Sequence, residues 1–184
     1  MSDTESEFVD HPRFERVADR REATGGRAGS DGTRERVDDK RESTDVEFAP
    51  TTNDWEATVS VAGDELEIEV VVPTIQGATT EHVADVVADG WFDTFERRVR
   101  DADGVTRADD VEVTAVSRED GGVVVELSVE ARAGNAAEDA LALVNFVEGT
   151  WFQGVIPGYE YVEKVRELRE RAAQNAQSAD GTPL

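Results

Sequence analysis

Regular alternation begins at Trp55, where Trp55, Ala57, Val59 and Val61 are interleaved with Glu56, Thr58 and Ser60. It resumes after Ala62-Gly63-Asp64, with Leu66, Ile68, Val70 and Val72 set against Glu67, Glu69 and Val71. A period of two with acids on the outer positions predicts two half-buried strands joined as a hairpin, wet on one face, as in an antiparallel sheet. A second hairpin is predicted from Val111, Val113 and Ala115 on one strand and Val123, Val125, Leu127, Val129 and Ala131 on the other, turning at Asp120-Gly121-Gly122. Val46 and Phe48, ahead of Pro50, predict a short extended stretch where the fold begins.

Between and after the hairpins the period changes to that of a helix. Val83, Val86, Val87, Trp91, Phe95 and Val99 form one stripe, with Thr79 or Thr80 as cap, Glu81 in the first turn and Arg97, Arg98 and Arg100 near the C-terminal end, where cations are favoured. Gly90 costs this helix about 0.8–1 kcal/mol relative to alanine, so another element is expected to approach closely there. The next helix, with Asn135 as cap and Glu138 placed for a capping box, carries Ala140, Leu141, Leu143, Val144, Phe146 and Val147 and is expected to be buried and to stop at Gly149. Ile156-Pro157-Gly158-Tyr159 has the residues of a type II turn, and Val162, Val165, Leu168 and Ala172 stripe a last helix.

The expected fold is therefore α+β: a two-layer sandwich with an antiparallel sheet of four or five strands built from two hairpin-helix units. Its helices lie on one face, and an extra C-terminal helix follows. Trp91 and Trp151 stand sixty residues apart in corresponding units, which makes an internal duplication one reading of the repeat.

Composition divides the chain. Residues 1–45 are poor in large apolar side chains and rich in Gly, Ser, Asp, Glu and Arg, the makeup of a disordered acidic, Arg-rich tail. Residues 46–176 form the expected single domain, and 177–184 a frayed C-terminus. The whole chain of 184 residues has 42 acids against 19 bases, a net charge of −23, which repels nucleic-acid phosphates and opposes compaction in dilute salt. Lys40 and Lys164 are the only lysines, and the core is rich in Val and Ala. Such a surface suits molar salt, where the Debye length falls to about 3 Å and spaced carboxylates cease to feel one another. No apolar run approaches a membrane span, and Met1–Asp10 is acidic, so neither membrane nor signal peptide is expected and the location read is cytoplasmic.

Catalytic signatures are sparse. Without cysteine there is no thiolate nucleophile or zinc-thiolate site, and His11 and His82 lack metal-ligand spacing. No phosphate-cradling glycine loop, nucleophile elbow or calcium-loop spacing occurs, so no catalytic residue, metal or cofactor is assigned. What stands out is Phe146–Tyr161, FVEGTWFQGVIPGYEY. Together with Gly90-Trp91, its FVEGT (146–150) and GVIPGYEY (154–161) resemble a small haloarchaeal family of unknown function over roughly residues 46–165. The resemblance implies a halophilic archaeal source and no known activity.

The candidate binding residues are Glu148, Thr150, Trp151, Gln153, Tyr159 and Tyr161, with Arg97 and Arg98 as possible ion-pair partners of Glu148. The leading expectation is a protein-interaction module, monomeric or weakly homodimeric, meeting an unknown protein partner or a second copy of itself through exposed aromatics. The alternative is an enzyme or small-molecule binder with a pocket between the second helix and the Pro-Gly-Tyr turn, using Glu148, Gln153 and Tyr159.

Overall fold

The computed structural model describes residues 2–17, 46–119 and 121–180. It is an α+β fold with an open antiparallel sheet of six strands: β1 (Phe14–Arg16), β2 (Val46–Pro50), β3 (Glu56–Ala62), β4 (Glu65–Pro73), β5 (Glu112–Glu119) and β6 (Gly122–Glu130). Their order is β1-β2-β3-β4-β6-β5. Both predicted hairpins are present, with Gly63 (φ 68°) and Gly121 (φ 89°) at the turns, in the left-handed conformation that tight hairpins demand. Pairing of β4 with β6 at the centre leaves β3 and β5 outside them, the order a twofold relation between the two hairpins would give.

The helices are α1 (Asp3–Asp10), α2 (Ile75–Ala78), α3 (Asp85–Val99), α4 (Ala136–Gln153) and α5 (Glu163–Asp180), with a 3-10 turn at Ala102–Gly104. Alternation does what it predicts. Leu66, Ile68, Val70 and Val72 of β4 and Val123, Val125, Leu127 and Val129 of β6 are buried against Leu141, Leu143, Val144 and Val147 of α4. The acids of the same strands face the opposite, uncovered side.

Several expectations are corrected, the first of them at the N-terminus. The chain before residue 46 is not all tail: residues 2–17 are folded, and the sheet has six strands where four or five were expected. Phe8 is fully buried, stacked on Phe48 at 5.2 Å and edge-on to Phe14 at 4.9 Å. Glu7 supplies the cap that α4 lacks, since Asn135 makes no side-chain cap bond. The Glu7 carboxylate accepts from the Gly134 amide and, at 2.8 Å, from the Ala136 amide. Glu138 turns to His11 at 3.1 Å rather than closing a capping box. The remainder of the expected tail, 18–45, lies outside the described residues, as do residues 181–184.

The second correction concerns the approach to α3. Thr79 and Thr80 do not cap it; α3 starts at Asp85 with Ala84 as a cap without a side-chain bond. The threonines instead belong to a segment paired with the chain around Tyr161, through Thr80 N to Glu160 O at 2.8 Å and Val162 N to Ala78 O at 2.9 Å. That pairing anchors the Pro-Gly-Tyr turn beside α3.

Candidate functional site

Gly149 does not stop α4, which runs on to Gln153. A helical glycine costs only about 1 kcal/mol. Burying the next two residues outweighs it: Thr150 is 6% and Trp151 1% exposed. Trp151 packs edge-on against Trp55 at 5.1 Å and donates its indole N–H to the Pro73 carbonyl at 2.7 Å. Lys164 sits over the Trp55 ring, 4.2 Å from its centroid, tying α5 to the same cluster.

Gly154 then ends the helix. Trp91 of α3 donates its indole N–H to the Gly154 carbonyl at 3.0 Å, and a Cβ at Gly154 would lie 3.0 Å from that nitrogen and 3.1 Å from the Trp151 carbonyl, so a side chain here would have to displace the ring slightly. Gly158 (φ 100°) makes the reversal, and Tyr161, 3% exposed, pins it by donating to the Ile156 carbonyl and accepting from the Ile156 amide, both at 2.8 Å. Burial pushes the Tyr161 phenol above its usual range.

The residues singled out in the sequence fall into three separate environments. Glu148 lies on the side of α4 facing residues 53–55, accepting from the Trp55 amide at 2.8 Å and the Asn53 side-chain amide at 2.9 Å. Amides, not Arg97 or Arg98, satisfy it. Burial raises its pKa although these hydrogen bonds oppose the shift. Tyr159 and Tyr161 border a shallow depression with Arg166 and Arg169. Thr150 and Gln153 border a third concavity, which Arg98 joins from α3. Trp151 is interior, Phe152 half-buried, and the two do not form an exposed aromatic patch.

That third concavity is a cleft of about 450 Å³ between α3 and the Gln153–Pro157 segment. Trp91 and Phe95, stacked at 5.5 Å with planes 3° apart, belong to its apolar lining, with Val87, Val155 and Ile156 around them. Along α3, Val86, Gly90, Thr94 and Arg98 recur every four residues and form one continuous ridge. Val86 is 79% exposed, and a Cβ at Gly90 would meet nothing within 4 Å, so the close neighbour expected at this glycine is not part of the described chain. No carboxylate enters the lining. The concavity on the open face of the sheet, the depression beside Tyr159 and the hollow between Asp64 and Glu130 are all bordered by carboxylates. Arg98 as a cleft residue was not legible in the sequence, where its place in the helix's last turn marked it only as an ion-pair candidate.

A concavity of about 630 Å³ lies on the uncovered face of the sheet, walled by Glu47, Glu56, Glu67, Glu69 and Glu126 among serines and threonines. Glu69 stands directly across from Glu126 in the β4–β6 ladder. Partial burial, then Glu126, Glu119, Glu56 and Glu47, raise its pKa above the usual carboxylate value. A raised folded-state pKa means that the folded chain holds this proton more tightly than the unfolded chain. Stability is therefore lost as pH rises through the interval between the two values. Glu69→Gln is expected to stabilise the fold above that interval and to change little below it, with the gain shrinking in molar KCl; unfolding midpoints across the acid range in low and high salt check this.

Among the described residues no group of three or more His, Asp or Glu side chains is placed to hold a metal ion, and no helix is long and apolar enough to cross a membrane. Comparison with curated proteins and with solved structures gives no match. The chain belongs to the family of unknown function DUF5813, which matches residues 34–171.

Proposed function

We propose that this protein is a small-molecule binding protein whose site is the α3–α4 cleft, working in the salt-rich cytoplasm of a halophilic archaeon. The carrying observation is the cleft's lining: apolar, aromatic-floored and free of carboxylates in a chain with 42 of them. Elsewhere the acids serve hydration, and the Val- and Ala-rich core with a net charge of −23 supports the high-salt setting. The pocket expected between the second helix and the Pro-Gly-Tyr turn was to use Glu148, Gln153 and Tyr159; of these only Gln153 borders the present cleft, whose other wall is α3.

Titration of octanol into the full chain in molar KCl, followed by the NMR signal of the Trp91 indole N–H, tests this. A saturable shift is expected, and Gly90→Leu should abolish it: leucine at this open position projects into the cleft and is a better helix former than glycine by nearly 1 kcal/mol, so the fold is kept. No saturable shift, or an equal one in Gly90→Leu, refutes the reading. The exposure of Val86 favours a second one, in which the same groove docks an apolar side chain from another copy; a dimer by light scattering that becomes monomeric in Val86→Asp is its signature.

A further inference from the structure

Granted that the α3–α4 cleft takes a small apolar ligand, the reading proposed above, the geometry points to a ligand with an apolar body and a single anionic head, a monocarboxylate in chemical class, whose head is held by Arg98. The α3 ridge has a polarity gradient: Val86 and Gly90 at one end, Thr94 next, Arg98 at the other. Thr94 already donates its hydroxyl to the Gly90 carbonyl at 2.8 Å, and the Trp91 indole N–H is taken by Gly154. The uncommitted side-chain donors on the cleft are therefore the Arg98 guanidinium, the Gln153 amide and the Thr150 hydroxyl, none of which has a partner among the described residues, and of these only Arg98 is charged.

Arg13, Arg97, Arg107 and Arg166 also lack a carboxylate partner among the described residues, but Arg98 is the one arginine that borders the acid-free cleft. Arg16, Arg100, Arg118, Arg132 and Arg171 are each paired with a carboxylate, Arg100 with Glu96 on the same helix at 2.8 Å. With more than two acids for every base, a guanidinium standing at an acid-free apolar cleft is matched to a carboxylate from outside. The long-range repulsion of an anion by a charge of −23 does not prevent this in molar salt: screening removes interactions beyond about 3 Å and leaves a contact pair in a partly enclosed cleft.

The test compares octanoate with octanol, two ligands of equal chain length that differ in the head, on the full chain in molar KCl with the Trp91 indole N–H as reporter. The native chain is expected to bind octanoate about tenfold more tightly than octanol. Arg98→Gln should remove that preference, bringing octanoate affinity down to that of octanol. Arg97→Gln, the same change of net charge one residue away and outside the cleft, should preserve it. Equal affinities for the two ligands in the native chain, or a preference that survives Arg98→Gln, overturn the assignment of the head group while octanol binding keeps the cleft as a ligand site. Absence of any shift with either ligand overturns both.

Discussion

Trp151→Ala is expected to destabilise the fold by about 3–5 kcal/mol, lowering the urea midpoint by about 2 M. The side chain is 1% exposed and is the largest among the fully buried ones. Its removal opens a cavity between α4 and the sheet, deprives Trp55 of its edge-on neighbour and leaves the Pro73 carbonyl without its indole donor. Trp151→Phe separates these contributions, because it restores much of the packing and none of the hydrogen bond. Its loss should fall well short of that of the alanine variant. Equilibrium urea unfolding of both in molar KCl measures the pair. A Trp151→Ala chain that unfolds at the native midpoint would mean the indole does not hold α4 on the sheet.

Phe8→Ala is expected to cost a comparable 3–5 kcal/mol, although Phe8 lies in the stretch whose composition reads as tail. The ring is wholly buried between Phe14 and Phe48, and its helix carries the Glu7 carboxylate that caps α4. Val9→Ala is the internal comparison. That neighbour is 47% exposed, and its truncation should stay within about 0.5 kcal/mol of native. If Phe8→Ala and Val9→Ala unfolded at the same urea concentration, residues 2–17 would contribute nothing to the core.

These two residues also show where sequence reasoning succeeds and where it stops. The β3–β4 and β5–β6 hairpins are legible because alternation is a local property: each strand shows its buried face in its own residues, and a glycine sits at each turn. Phe8 and Phe14 carry no such pattern. Their burial depends on Phe48, far along the chain, and a segment poor in apolar residues can still fold when two aromatics find a third.

Gly149 teaches the same about boundaries. A glycine in an apolar helix looks like a stop, yet Trp151, two residues on, is worth more buried than the glycine costs. For Glu148, burial was expected and an arginine partner sought. The groups that reach it come from Asn53 and Trp55, 95 and 93 residues away, and no spacing rule could name them. Gly90 was read as a place of close approach; within the described chain nothing comes near it, and the open cleft accounts for the space.

The sequence by itself determined the fold class, the two hairpins, the wet acidic side of the sheet and the absence of familiar catalytic signatures, because periodicity, charge and motif spacing are carried by neighbouring residues. Tertiary structure alone decided that α1 and β1 belong to the core, that Phe146–Tyr161 serves three different environments, and that Arg98 and Gln153 share an acid-free cleft with Trp91. Each of these depends on which distant faces meet when the helices settle on the sheet.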